Sequence, residues 1–173
     1  MAILLPSATS CIVMIAARLL SSLIMGEHNS FWGTVSYKQW IMILWAIVAE
    51  ELGWRGYLEP ALNRFIVNKQ IIPGIVGLIW CLWHYHYFMQ NSIELPIALF
   101  LIGCIIESYI YSYMMKVTKG NLVSAMTLHF MYNLMIHVVA INPSDNNGSL
   151  IPYVTMTIME AVALFAMSLW NPY

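Results

Sequence analysis

The sequence predicts an all-α protein, a polytopic membrane helix bundle of about six transmembrane helices, and three observations predict it. Hydrophobic residues fill 61% of the 173 positions and charged residues only 9%, where a soluble domain carries roughly 25% charge. Mean hydropathy is +0.73. Apolar runs near the ~20 residues needed to cross a bilayer recur along the chain, separated by short polar connections. The lipid bilayer is thus the first partner that composition implies. The length fits a single integral membrane domain, 1–173, with no second one. A net charge of −1 argues against nucleic acid as a partner. Cys11, Cys81 and Cys104 all fall in apolar segments and read as small core residues, not a disulfide frame.

The first span is expected from Ala2 to about Met25, interrupted by Arg18, which either snorkels or faces the bundle. Its start is uncharged and lacks the basic front of a cleavable signal, so this span is expected to be retained. A polar connection follows, with Gly26, Glu27, His28, Asn29 and Gly33. The second span covers Tyr37 to Leu58 and ends in a basic connection holding Arg64 and Lys69. The third runs from Ile72 to Met89, with Pro73 suited to its first turn. The fourth, Glu94 to Met115, follows a Gln90-Asn91-Ser92 break. After Lys116, Lys119 and a stop signal at Gly120, the fifth runs from Leu122 to Ile141. Asn142 to Ser149 is the most loop-like stretch, and the sixth span covers Ile151 to about Leu169.

Lysine and arginine in short loops orient a bundle. Arg64, Lys69, Lys116 and Lys119 fall on one side with Arg55; Lys38 and Arg18 fall on the other. The bias puts the 2–3 and 4–5 connections, and both termini, in the cytoplasm. The compact, loop-poor chain has the style of a prokaryotic cell-membrane protein.

Ionisable residues inside a span are costly and point to function. The second span holds three within six residues, Glu50, Glu51 and Arg55. On a helix Glu51 and Arg55 share a face, acid N-terminal to base, the better orientation for pairing. Glu50 lies about 100° round, on the face of Trp54, without a partner of its own in the segment. Two further constellations interrupt apolar helices: Trp80-Cys81-Leu82-Trp83-His84-Tyr85-His86, and His129 with Asn133 one turn on. A rise of 1.5 Å per residue sets Glu50 about 12 Å from Leu58, His129 about 12 Å from Asn121 and His84 about 16 Å from Pro73. Three helices thus bring polar groups to one level, in the half of the bilayer that the loops mark as cytoplasmic. His86 and His137 read as hydrogen-bonded core histidines, and Glu107 and Glu160 as internal polar glue, with part of a proton path as the alternative.

Glu50-Glu51-x-x-x-Arg55, an aromatic residue four before His84, and His129-x-x-x-Asn133 resemble the three motifs of the CAAX prenyl endopeptidase and bacteriocin-processing (CPBP or Abi) family of intramembrane proteases. The matching core, about 46–137, is the expected catalytic core. That family usually has Phe where this chain has Trp80, which keeps an aromatic wall; Leu82, four before His86, is not aromatic, so His84 is the match.

The resemblance implies hydrolysis of a peptide bond in a membrane-associated peptide or protein. The chemistry needs a base for water and donors for the oxyanion. Glu50 and His84 are expected to activate the water, His129 and Asn133 to hold the oxyanion, and Glu51 with Arg55 to brace the second span. No cofactor is favoured. A zinc ion held by Glu50, His84 and His129 is the alternative chemistry, but the soluble His-Glu-x-x-His signature is absent and Asn133 is a better oxyanion donor than zinc ligand. Two other function classes use similar residues: a non-proteolytic bacteriocin-immunity or regulatory membrane protein of the same family, and a proton-coupled transporter. The transporter predicts internal repeats or broken helices, and the sequence has neither. A peptide precursor or membrane-protein tail, not a prenylated chain, is the expected substrate.

Overall fold

The computed structural model describes residues 1–26 and 30–170; Glu27, His28 and Asn29 of the first polar connection lie outside the described residues. The described secondary structure is helical throughout. Five segments are long and apolar enough to cross a membrane: Leu4–Met25, Lys69–Met89, Ile97–Val117, Leu122–Asn146 and Ile151–Leu169. The helix with the acidic motif is not among these five, because Lys38, Glu50, Glu51 and Arg55 lower its apolarity.

Helix α1, Leu4–Met25, packs on α7, Leu122–Val138, and on α8, Ile151–Trp170. Arg18 faces the bundle and is buried. Its Nη1 donates to Asn146 Oδ1 at 2.9 Å, Nη2 donates to the Ser30 carbonyl, and the guanidinium lies 5.8 Å from the Phe31 ring centre. Asn146 in turn donates to the carbonyls of Ala140 and Asn142 at 2.7 and 2.8 Å. The 142–149 loop is therefore tied into the bundle by one internal cation.

Helix α2, Tyr37–Gly53, opens with a capping box: Ser36 Oγ accepts from the Gln39 amide while Gln39 Oε1 accepts from the Ser36 amide. It packs on α7. The chain does not stop at Leu58. A π-helical turn over Trp54–Leu58 leads into α3, Glu59–Phe65, whose Pro60 sits in the first turn where its missing N–H costs little.

The third span is broken, against the expectation from the sequence that no helix is. Helix α4, Ile72–Trp83, has Pro73 in its first turn as expected, but ends at His84, where ψ is −2° and the amide donates to both Trp80 and Cys81 carbonyls. A short α5, Tyr85–Met89, follows. Helix α6 covers Ile97–Val117, not Glu94–Met115; Pro96 is its N-cap, and the residue before a proline resists the helical conformation. Asn121 caps α7 through the Val123 amide at 3.0 Å. That helix ends at Val138 instead of Ile141, with Ala140 at φ 48°.

Helices α4 and α6 approach closely at Gly77, where an added Cβ would lie 2.7 Å from both the Cys104 oxygen and Ile105 Cα. Met14 and Ala17 of α1, Trp80 and Cys81 of α4, Tyr111 and Met114 of α6, Leu128 and Tyr132 of α7 and Met156 of α8 form the core. The three cysteines are free thiols.

Candidate active site

Three helices deliver the sequence motifs to one place. A cavity of about 460 Å³ is lined by Glu50 of α2, Trp80 and His84 at the end of α4, and His129 and Asn133 of α7. Glu107 from α6 and Tyr153 from α8 also line it.

Behind the wall lies a charged cluster closed to solvent. Glu51 and Arg55 are 0% and 1% exposed. Arg55 Nη1 donates to Glu51 Oε1 at 3.0 Å and Nη2 donates to Ser108 Oγ at 2.9 Å. The guanidinium also lies over two aromatic faces, 4.2 Å from the Tyr111 ring centre and 5.0 Å from that of Trp80. The pairing expected from spacing therefore forms, even though the π turn begins one residue before Arg55. The same Glu51 oxygen meets His129 Nδ1 at 2.8 Å. Glu51 is thus both the arginine's partner and the group that fixes the His129 ring.

Glu50 is not left without a partner. The Trp80 indole N–H donates to its Oε2 at 2.6 Å, while the Trp54 indole stands at 3.5 Å from the same oxygen. Trp80 also meets His84 and His129 edge-on, with ring centres 6.0 and 5.6 Å away. The aromatic at this position is more than a wall: it touches every motif. His84 Nδ1 donates to the Trp80 carbonyl at 2.9 Å, which leaves Nε2 as the acceptor nitrogen of the neutral ring. Asn133 lines the cavity, and its amide makes no hydrogen bond to the described protein groups.

His86 is exposed, with Nδ1 on the Trp83 carbonyl at 2.9 Å, and is not a core residue. The break at His84 turns α5 away and carries His86 out with it. His137 is half-buried and hydrogen-bonded to Gln39 and Asn142, and it lines the far part of the cavity. Glu160 is fully buried with neither carboxyl oxygen partnered. Among the described residues no three His, Cys, Asp or Glu side chains are placed together as a metal site.

A family model, "Type II CAAX prenyl endopeptidase Rce1-like", matches residues 32–135, which takes in the acidic motif, Trp80, His84, His129 and Asn133. The chain belongs to this family. It is also 30% identical over 110 residues to a protein of Methanococcus maripaludis named "CAAX prenyl protease 2". That match covers 58% of this chain and 40% of the relative, so the chain spans about two fifths of the length of the curated relative it matches. The family match ends two residues after Asn133, and α8 with Tyr153 and Glu160 lies beyond it. The last wall of this Rce1-like cavity is therefore built from chain that the family model does not describe.

Proposed function

We propose that the protein is an intramembrane endopeptidase that hydrolyses a peptide bond of a membrane-associated peptide or protein without a metal. The observation that supports this reading best is the set of Glu50, His84, His129 and Asn133 on one cavity wall, with Glu51 and Arg55 behind it.

Water sits between Glu50 and His84. Trp80 occupies Oε2 of Glu50, so Oε1 takes the water proton, while His84 Nε2 accepts the second hydrogen bond. The hydroxyl oxygen bonds to the scissile carbonyl carbon, and the carbonyl oxygen becomes an oxyanion. Asn133 offers its amide N–H to that oxygen. His129, protonated on both nitrogens, gives one N–H to Glu51 and the other to the oxyanion. Collapse breaks the C–N bond as Glu50 returns its proton to the leaving amine, so the base is regenerated in the same cycle. Held donors of this kind are each worth about 2.7–4 kcal/mol of the barrier.

The basic loops support a cavity in the cytoplasmic half of the membrane, and the compact, loop-poor chain suits a prokaryotic cell membrane. The relative's name supports a protein or peptide as substrate, and the short connections leave its selection to the cavity and its lateral openings. The test is incubation of detergent-purified protein with a membrane-peptide library, with and without a chelator. Cleavage that survives the chelator is expected. Cleavage lost to the chelator and restored by zinc would overturn the metal-free chemistry, and no cleavage at all would favour the regulatory alternative.

A further inference from the structure

The cavity has a charge imbalance that the hydrolysis does not use. Among the described residues its wall carries three carboxyl groups, Glu50, Glu94 and Glu107, and no lysine or arginine. Glu50 is committed to Trp80, and Glu94 is exposed on the loop before α6. Glu107 is different. It lines the cavity from the middle of α6, half-buried, and makes no hydrogen bond to any described protein group.

A second, independent observation lies behind it. Glu160 of α8 is 0% exposed and both of its carboxyl oxygens lack a partner. Glu107 is the charged neighbour that acts on it. The nearby hydroxyls of Tyr111 and Tyr132 are also buried without partners. The two cations near Glu107 are already committed: Arg55 serves Glu51, Ser108 and two aromatic faces, and His129, protonated in the proposed chemistry, serves Glu51 and the oxyanion. Glu107 thus lines a cavity whose wall carries no lysine or arginine, and the buried Glu160 lies behind it, outside the lining. A carboxylate in that setting is costly unless a cation reaches it, and an intramembrane ionisable residue is a functional site by default.

We propose that Glu107 is a subsite for a cationic group of the substrate, the ammonium or guanidinium of a lysine or arginine within a few residues of the scissile bond. The word substrate rests on the endopeptidase reading; the cation site itself does not. The cavity volume suits such an occupant, because drug-sized ligand pockets run from roughly 300 to 1,000 Å³. Its apolar wall of Met42, Ile93, Leu95 and Phe100 offers a surface for an aliphatic stem, while the charge reaches Glu107.

The experiment scans one lysine through a short apolar peptide, with norleucine in its place as the neutral control of similar length. For the wild type, kcat/KM for the lysine peptide is expected to exceed that for the norleucine peptide by roughly tenfold or more at one register. In Glu107→Gln the ratio is expected to fall to about one, whatever the absolute rate. In parallel, binding of both peptides is measured on Glu50→Gln. A lysine preference in binding without cleavage by the wild type would sink the protease reading and leave the cation subsite standing. Cleavage of both peptides with no preference would do the reverse. A preference that survives Glu107→Gln, or no binding of either peptide, would overturn the subsite. The wild-type ratio needs no variant, so misfolding of Glu107→Gln does not protect the proposal.

Discussion

Arg55→Met removes the cation from the cluster behind the cavity while keeping most of the side-chain volume. Glu51 is then left fully buried, with Oε2 already unpartnered and Oε1 dependent on His129 alone. Ser108 loses its donor, and the faces of Tyr111 and Trp80 lose their guanidinium. Breaking a buried pair by deleting one partner costs about 3–5 kcal/mol, and the single contact to His129 is then all that offsets the buried carboxylate. At about 2–4 °C per kcal/mol for a chain of this size, the unfolding midpoint should fall by about 6–20 °C. The double variant Glu51→Gln/Arg55→Met removes both charges at once. Neutral replacements for buried pairs are often well tolerated, so the double should be more stable than Arg55→Met alone, with a coupling energy above about 1 kcal/mol. The assay is thermal unfolding in detergent of wild type, both single variants and the double. Additive losses, with the double the least stable of the four, would refute the claim that Glu51 and Arg55 act as one buried unit.

Two further substitutions probe the frame around the base. Trp80→Phe keeps an aromatic ring and deletes the N–H that meets Glu50 at 2.6 Å, together with part of the indole. Hydrogen bonds to charged groups are worth about 1.5–3 kcal/mol, so kcat should drop by roughly 10- to 150-fold with KM little changed; an unchanged kcat would mean that Trp80 does not position Glu50. Gly77→Ala puts a methyl group 2.7 Å from the Cys104 carbonyl and Ile105 Cα, both backbone atoms that no rotamer change can clear. It should destabilise by about 1–3 kcal/mol in the same thermal assay, and wild-type stability would show that the α4–α6 contact is looser than described.

Much of this was legible in the sequence because a bilayer simplifies the reading. Spans at 72, 122 and 151 begin where proline, asparagine and loop chemistry put them, and the motif level estimated from helical rise did bring α2, α4 and α7 to one cavity. Boundaries failed where a local contact overrode hydropathy. Pro96 delays α6, His84 breaks α4, and the helix of the acidic motif runs through a π turn to Phe65 instead of stopping at Leu58. Side-chain partnerships were legible only when they were local. Glu51 with Arg55 follows from spacing, but Glu51 with His129 spans 78 residues, and Glu50 with Trp80 spans 30. No periodicity reports such contacts. The same holds for Glu107, which looks like packing glue on α6 until the cavity shows that its carboxyl has nothing to hold.

The most direct test of the central claim is single-turnover cleavage of one identified peptide by wild type and Glu50→Gln, side by side. The variant is nearly isosteric and can still accept the Trp80 N–H, so the cavity should keep its shape and the peptide should still bind. The proposed chemistry predicts bond cleavage by the wild type and none above background by the variant. Cleavage by Glu50→Gln at a substantial fraction of the wild-type rate would contradict it, and would remove Glu50 as the base.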